Sequence, residues 1–425
     1  MPGYVICGER QPLNLDDGTM QDLLRRHYTD YKGQPALCLC TDLRPRIYIA
    51  RLADQFVLKR WPGSGHEHAA DCDRYEPPLE ASGLGRLLGS AIREDTLTGD
   101  VELRLGFPLK KQPRNSGSPT EGHPEDATED GRDGKSPISR AGFRAMLHYL
   151  WDQAELTHWN PGMKGKRNWW VVRNRLLGAA ARMTANGTRL SRRLFIPEPF
   201  RVETKDEIRL RRRALLQTVA SHKAARELMM FLVEVKEIAP STYGYKLIAR
   251  NVPDDPIYMS EELYGTIGRR FETELEMFSR PEGQGHLIAF GTLSVKPSGI
   301  ATIEDLTLMA MTAEWIPVCD ETEAVIVDYS VVTGRAFVKP LKYNMGQGRA
   351  LAAVLYTDSP EKPTAFYVVR SDETEVLVKA REELLASTTT CSVLWHLADQ
   401  PNPYLLIDSI ASVRGSSPSQ RTWAL

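Results

Sequence analysis

The chain has 425 residues, 42% of them hydrophobic and 26% charged, with a formal net charge of −1. That length predicts several domains, and the near-zero net charge by itself says nothing about partners, so any signal must come from how the charge is distributed. No apolar run reaches the roughly 18 residues that span a bilayer, and the N-terminus MPGYVICGERQP lacks a basic-then-apolar leader, so a cytoplasmic chain with no membrane partner is expected.

In chain order, residues 1–110 read as a β-rich module. RIYIARL and QFVLKRW flank a polar turn around Asp54 and predict a hairpin over 46–61, and DVELRLGF at 100–107 alternates as a strand. Residues 111–138, rich in Gly, Pro, Ser and acids, cannot bury enough surface to offset their conformational entropy and read as a flexible linker. Phe143, Met146, Leu147, Leu150, Trp151 and Ala154 then follow helical spacing, with Ser139 as N-cap. A second helix is predicted from Trp169 to Met183 and a strand in RLFIPEPF, which makes 139–205 a basic helical module. Residues 206–318 read as an α+β domain. It contains a basic helix, a hairpin of LMMFLVEVKEI and YGYKLIAR, one helix over SEELYGTIGRRFETELEMFS, and the strand HLIAFGTLSV. Residues 319–425 predict the order α-β-β-β-α-β, which completes a multi-domain α+β chain.

Six cysteines are too few for a disulfide scaffold, yet three of them, with two of the nine histidines, fall between residues 38 and 72. Zinc favours four sulfur or nitrogen ligands supplied as two short-spaced pairs. Cys38 and Cys40 precede the hairpin, and His68 and Cys72 follow it, as ligand pairs do in zinc ribbons. The N-terminal module is therefore expected to be zinc-ribbon-like, although Cys-x-Cys is tighter than the commoner Cys-x-x-Cys. His66 could replace His68, and the competing reading is a set of buried structural cysteines beside a solvent-facing histidine. Four protein ligands would close the site against catalysis.

LCLCTD, IYIAR, LKRWPGSGHEHAADCDRYEPP, LHYLWDQA, GKRNWW and GRAFVKPLKYN together resemble the bacterial domain-of-unknown-function 1173 family across most of the chain. The resemblance implies a bacterial protein, often encoded on plasmids or integrated conjugative elements. It also implies three N-terminal cysteines, which map to Cys38, Cys40 and Cys72, and it implies no activity.

Residues 164–213 hold fifteen Lys or Arg against four acids, a local excess of +11. Such clusters bind phosphate backbones, because each neutralised phosphate releases counterions. The expected nucleic-acid contacts are Lys164, Lys166, Arg167, Arg173, Arg175, Arg192, Arg193, Arg211, Arg212 and Arg213, with DNA favoured over RNA. Trp159, Trp169 and Trp170 could stack on unpaired bases; core packing is the competing reading.

The C-terminal element order is that of the restriction-endonuclease-like core, where a helix Glu, a strand Asp and a Glu-x-Lys bind a divalent metal. Glu321 or Glu323 and Asp358 are candidates, and Lys339 and Lys342 could touch phosphate. In TAFYVVR, however, Phe366, Tyr367 and Val368 stand where the charges are required, which predicts a degenerate site. P-loop, nucleophile-elbow and dinucleotide signatures are absent. The expectation is a non-catalytic nucleic-acid-binding protein with a structural zinc. A divalent-metal-dependent nuclease and a protein-interaction scaffold are the alternatives, and a protein partner in a larger complex fits the first reading as well.

Overall fold

In the computed structural model the described residues are 3–411, apart from 13–15, 32, 53–54, 71, 73, 78–81, 96–98, 112–139, 222–225, 280–282, 344, 346–348, 360–361, 389 and 401. The linker expected at 111–138 (Lys111 excepted), the hairpin turn at Asp54 and the N-cap expected at Ser139 lie outside them. The chain is mixed α+β, with helices α1 (Asp17–Asp30), α2 (Phe143–Gln153), α3 (Trp169–Ala180), α4 (Lys205–Gln217), α5 (Glu261–Arg270), α6 (Glu272–Phe278), α7 (Glu321–Val332), α8 (Glu375–Ser387) and α9 (Tyr404–Ala411). Among the described residues no helix is long and apolar enough to cross a membrane.

The N-terminal sheet runs in the order Glu9–Pro12, Gly3–Ile6, Ala36–Cys38, Arg46–Leu52, Gln55–Arg60. Alternation in Arg46–Leu52 puts Ile47 and Ile49 into a small core with Ile6, Leu24 and Phe56, which α1 covers. α1 starts where Asp16 accepts a hydrogen bond from the Thr19 amide at 2.8 Å. The opposite face of the hairpin is covered too: Tyr48 and Ala50 are buried, and Lys59 reaches Gln153 of α2 at 3.2 Å. At the end of the strand Arg60 pairs with Glu76 and lies 3.7 Å from Asp152.

Segment 139–205 is more interlaced than a self-contained helical module. His158–Trp159 joins the C-terminal sheet, Met183–Ala185 runs parallel to Val101–Leu103, and Leu194–Phe195 joins the central sheet. α3 ends at Ala180, short of the expected Met183, because Met183 is the first residue of that short strand.

Residues 229–312 form a ring of five strands. Met229–Ser241 pairs through Met229–Glu234 with Gly285–Val295, and from Val235 onward with Gly244–Ala249. A register shift between Val235 and Glu237 marks a bulge, which bends the strand from one neighbour to the other. Gly244–Ala249 pairs with Val252–Met259, which meets Ala301–Thr312 in parallel at Tyr258 and Thr302, and Ala301–Thr312 returns antiparallel to Gly285–Val295. α5 and α6 connect the third strand to the fourth and send Leu263, Ile267 and Phe271 into the core. The single helix expected there breaks at Phe271, whose non-helical backbone (φ −125°, ψ 35°) accompanies full burial of its ring. α4 is fastened to the third strand by Arg209–Asp254 at 2.7 Å and by buried Arg212, which lies 3.3 Å from Asp254 and 3.2 Å from Asp255.

The C-terminal sheet runs Cys391–His396, Thr364–Val369, Val354–Tyr356, Phe337–Val338, His158–Trp159. Only the first pair is parallel. With α7 before these strands and α8 between the last two in sequence, the chain follows α-β-β-β-α-β.

Candidate metal centre

Cys38 closes the third strand of the N-terminal sheet, and Cys40 lies two residues beyond it. The hairpin then carries the chain out and back to a tight turn over Trp61–Ser64, followed by one 3-10 turn, Gly65–Glu67. Gly65 is needed for contact: a Cβ there would lie 2.5 Å from Glu76 Cβ, and its carbonyl accepts the Glu76 amide at 3.2 Å. The turn leaves His66 exposed and drives His68 into the interior, 4% exposed.

The donor atoms of Cys38, Cys40, His68 and Cys72 lie within 4.8 Å of one another. Cys38 Sγ is 3.8 Å from Cys72 Sγ, while His68 Nδ1 is 3.4 Å from Cys40 Sγ and 3.6 Å from Cys72 Sγ. All four cysteines of the region, Cys7 included, are free thiols. The amide of Ala69 donates to Cys40 Sγ at 3.4 Å. The Cys72 thiol lowers the pKa of Cys38, whereas Cys38, aided by burial, pushes Cys72 up to about 12. Arg74 donates to Tyr4 Oη at 3.0 Å and lies 4.9 Å above its ring; burial opposes its charge, but Tyr4, Cys72 and Cys38 hold its pKa above the usual guanidinium value. His68 Nε2 is buried without a partner. Among the described residues no other group of three or more Cys, His, Asp or Glu side chains meets the same proximity. The arrangement suits a closed metal site.

The ten cationic residues expected to touch nucleic acid divide into two groups. Arg167 donates to the carbonyls of Leu156 (2.9 Å) and His158 and lies 5.3 Å from the Trp159 ring centre, while Arg173 donates to the Ile196 carbonyl at 3.1 Å. Arg193 pairs with Glu227, Arg211 with Glu198 at 2.8 Å, and Arg212 with Asp254 and Asp255; exposed Arg175 is 3.6 Å from Glu155. Lys164, Lys166, Arg192 and Arg213 face solvent. Trp159 and Trp169 are core residues, and Trp169 Nε1 donates to the Pro197 carbonyl at 2.9 Å. Trp170 is 55% exposed.

The acidic candidates of the C-terminal domain do not converge. Glu323, buried, pairs with buried Lys339 at 3.1 Å, whereas Asp358 takes a bidentate contact from Arg335, 2.6 Å at its shortest, and the Ala336 amide at 3.0 Å. Arg335 and Lys339 stand before and after the strand Phe337–Val338 in sequence, so each carboxylate is neutralised by its own cation. Glu321 and Lys342 are exposed, and Phe366 and Tyr367 lie in the core.

Among the features that escaped sequence reasoning are α1, the strand Val252–Met259, the strand Ala301–Thr312, whose Glu304 and Asp305 interrupt its alternation, and the ring that these strands close. The model of a family described as "Protein of unknown function (DUF1173)" matches residues 6–398. No curated protein and no solved structure matches the chain.

Proposed function

The chain belongs to the DUF1173 family, whose description carries no activity, and from its own geometry we propose that it is a non-catalytic nucleic-acid-binding protein stapled by one structural zinc ion. Zinc–sulfur bonds of about 2.3 Å and zinc–nitrogen bonds of about 2.0–2.1 Å at tetrahedral angles imply sulfur–sulfur edges near ~3.8 Å and sulfur–nitrogen edges near ~3.5 Å. The distances of 3.8, 3.4 and 3.6 Å support that ion. Three thiolates and a divalent cation leave one negative charge, which Arg74 offsets from outside the ligand set. The ion would tie the entrance and exit of the hairpin together beneath a core too small to hold the sheet alone.

The nucleic-acid part of the reading is carried by the loop before α3. Arg167 is bonded inward, the Gly165 amide donates to Glu314 at 3.0 Å, and Asn168 caps α3 through the Val171 amide at 3.1 Å. The clamped loop holds Lys164 and Lys166 outward, and the first turn of α3 that it leads into exposes Trp170, two cations and an indole within seven residues. Phosphates and unpaired bases call for that pairing of groups, and DNA is the proposed partner. A linear fall of log affinity with log salt for DNA is the expected result; no binding at low salt would leave only a protein-interaction scaffold. The nuclease reading keeps the element order α-β-β-β-α-β of the C-terminal domain in its favour, and magnesium-dependent cleavage abolished by Asp358→Ala in a variant that still folds would support it.

A further inference from the structure

The five-stranded ring at 229–312 carries a second, more specific indication. Numbered along the chain, its strands are ordered 1-2-3-5-4 and back to 1, with strands 3 and 5 parallel and a helical connection between 3 and 4. The long first strand bends at a bulge so as to serve both halves, and α5 and α6 plug the interior. That path, strand by strand, is the path of the OB-fold, the five-stranded Greek-key barrel whose strands 2 and 3 and adjoining loops take oligonucleotides.

The outer face here has the chemistry for such a ligand. Leu247 and Ala249 of strand 2 and Ile257 and Met259 of strand 3 point into the core. The intervening residues therefore face out, and Lys246 and Tyr258 form a cross-strand pair on that face. Tyr258 is 37% exposed. At the tip of the turn between strands 1 and 2, Tyr243 is 92% exposed, among the largest exposures of any hydrophobic residue in the fold. The next residue must be glycine: Gly244 has φ +108°, and a Cβ there would lie 2.6 Å from the Met259 carbonyl. The tight turn thus sets Gly244 against the end of strand 3 and leaves Tyr243, one residue before it, projecting into solvent. Lys246 is half-buried, and Lys236 adds an exposed cation on strand 1, beside exposed Glu237. The nearby acids Asp254 and Asp255 are bound by Arg209 and Arg212, and Glu234 by Arg250 and His286, while Glu237 and, just past strand 3, Glu261 and Glu262 are exposed.

We infer that residues 229–312 form an OB-type barrel that binds single-stranded nucleic acid across its second and third strands, with bases stacked on Tyr243 and Tyr258 and a phosphate on Lys246. The inference rests on the nucleic-acid reading above and adds to it the strand state and the surface. Stacking accepts any base, so it favours unpaired strands and confers little sequence preference.

Full-length zinc-loaded protein would be titrated by fluorescence anisotropy with a labelled thymidine oligonucleotide of about 20 nucleotides, with a duplex of the same length, and with polyglutamate as competitor. The single strand is expected to bind tighter than the duplex. Tyr243→Ala and Tyr258→Ala should each weaken single-strand binding by about tenfold and leave duplex binding unchanged. Phenylalanine at either position should restore it, and unaltered zinc content and thermal midpoint confirm folding. Equal affinity for both strand states, or full single-strand affinity in the alanine variants, overturns the barrel-face assignment while the broader nucleic-acid reading stands. Failure to bind either strand state overturns both. Polyglutamate displacing the oligonucleotide at equal charge concentration points to an acidic protein partner and overturns the inference.

Discussion

Cys38 Sγ lies 3.8 Å from Cys72 Sγ across 34 positions of sequence. A disulfide would need about 2.05 Å, and unrelated buried thiols have no reason to meet a third thiol and an imidazole at the same point. The contact closes a loop around the whole hairpin, so whatever occupies the cluster controls that loop.

Cys38→Ala, Cys72→Ala or His68→Ala should therefore lower bound zinc from about one equivalent to near zero and destabilise the fold by several kcal/mol, on the order expected where metal affinity is coupled to folding. His66→Ala should change neither. Elemental analysis with urea denaturation checks both outcomes, and zinc retained in Cys72→Ala would contradict the ligand set.

Lys164→Gln combined with Lys166→Gln should weaken DNA binding equally across sequences. It should also reduce the slope of log affinity against log salt by about 1.5, since each lost phosphate contact removes roughly 0.7–0.9. Arg212→Gln acts elsewhere: it breaks the contact to Asp255 beneath α4, leaves Asp254 to Arg209 alone, and should lower thermal stability first. Salt-series titrations and thermal melts separate the two.

Burial, with Arg182 and Arg60 adding to it, brings the Lys59 ammonium down to about 7. In the unfolded chain it titrates near ~10.4, so between those values the unfolded state binds the extra proton and stability rises with pH, by at most ~1.4 kcal/mol per unit. Below pH 7 the penalty of the buried charge is fully present. Urea midpoints should climb from pH 7 to pH 9 in the native protein and flatten in Lys59→Met; a midpoint that falls over this range would refute the assignment.

Glu323 and Lys339 form a buried ion pair at 3.1 Å. Lys339→Ala strands a buried carboxylate and should cost about 3–5 kcal/mol, whereas the double variant Glu323→Leu/Lys339→Met should recover most of that loss. Chemical denaturation of the three proteins measures the difference. A double variant no better than the single would mean that the pair does more than neutralise itself.

What could be read from the residues alone was whatever lies close together in sequence. The hairpin at 46–60 and the four ligands beside it announce themselves through alternation and clustering, and only the choice between His66 and His68 needed the burial that the Gly65–Glu76 contact imposes. The basic stripe was legible as composition but not as surface, because its neutralising partners, Glu227 for Arg193 and Asp254 for Arg212, lie tens of residues away. The barrel was illegible for a related reason. Its closure depends on Tyr258 meeting Thr302, and the strand that supplies Thr302 also buries Thr307 and Thr312, which disguise its alternation.

Strand pairing between the two sides of residues 112–139 has a practical corollary. Val101–Leu103 lies along Met183–Ala185, Lys110–Lys111 along Arg226–Glu227, and Leu105 bridges to Ala141. A protease that nicks the intervening acidic stretch would cut a covalent tether and leave the halves clasped. The two fragments should co-elute, and two separately expressed pieces divided there are natural candidates for a split reporter that reassembles on mixing.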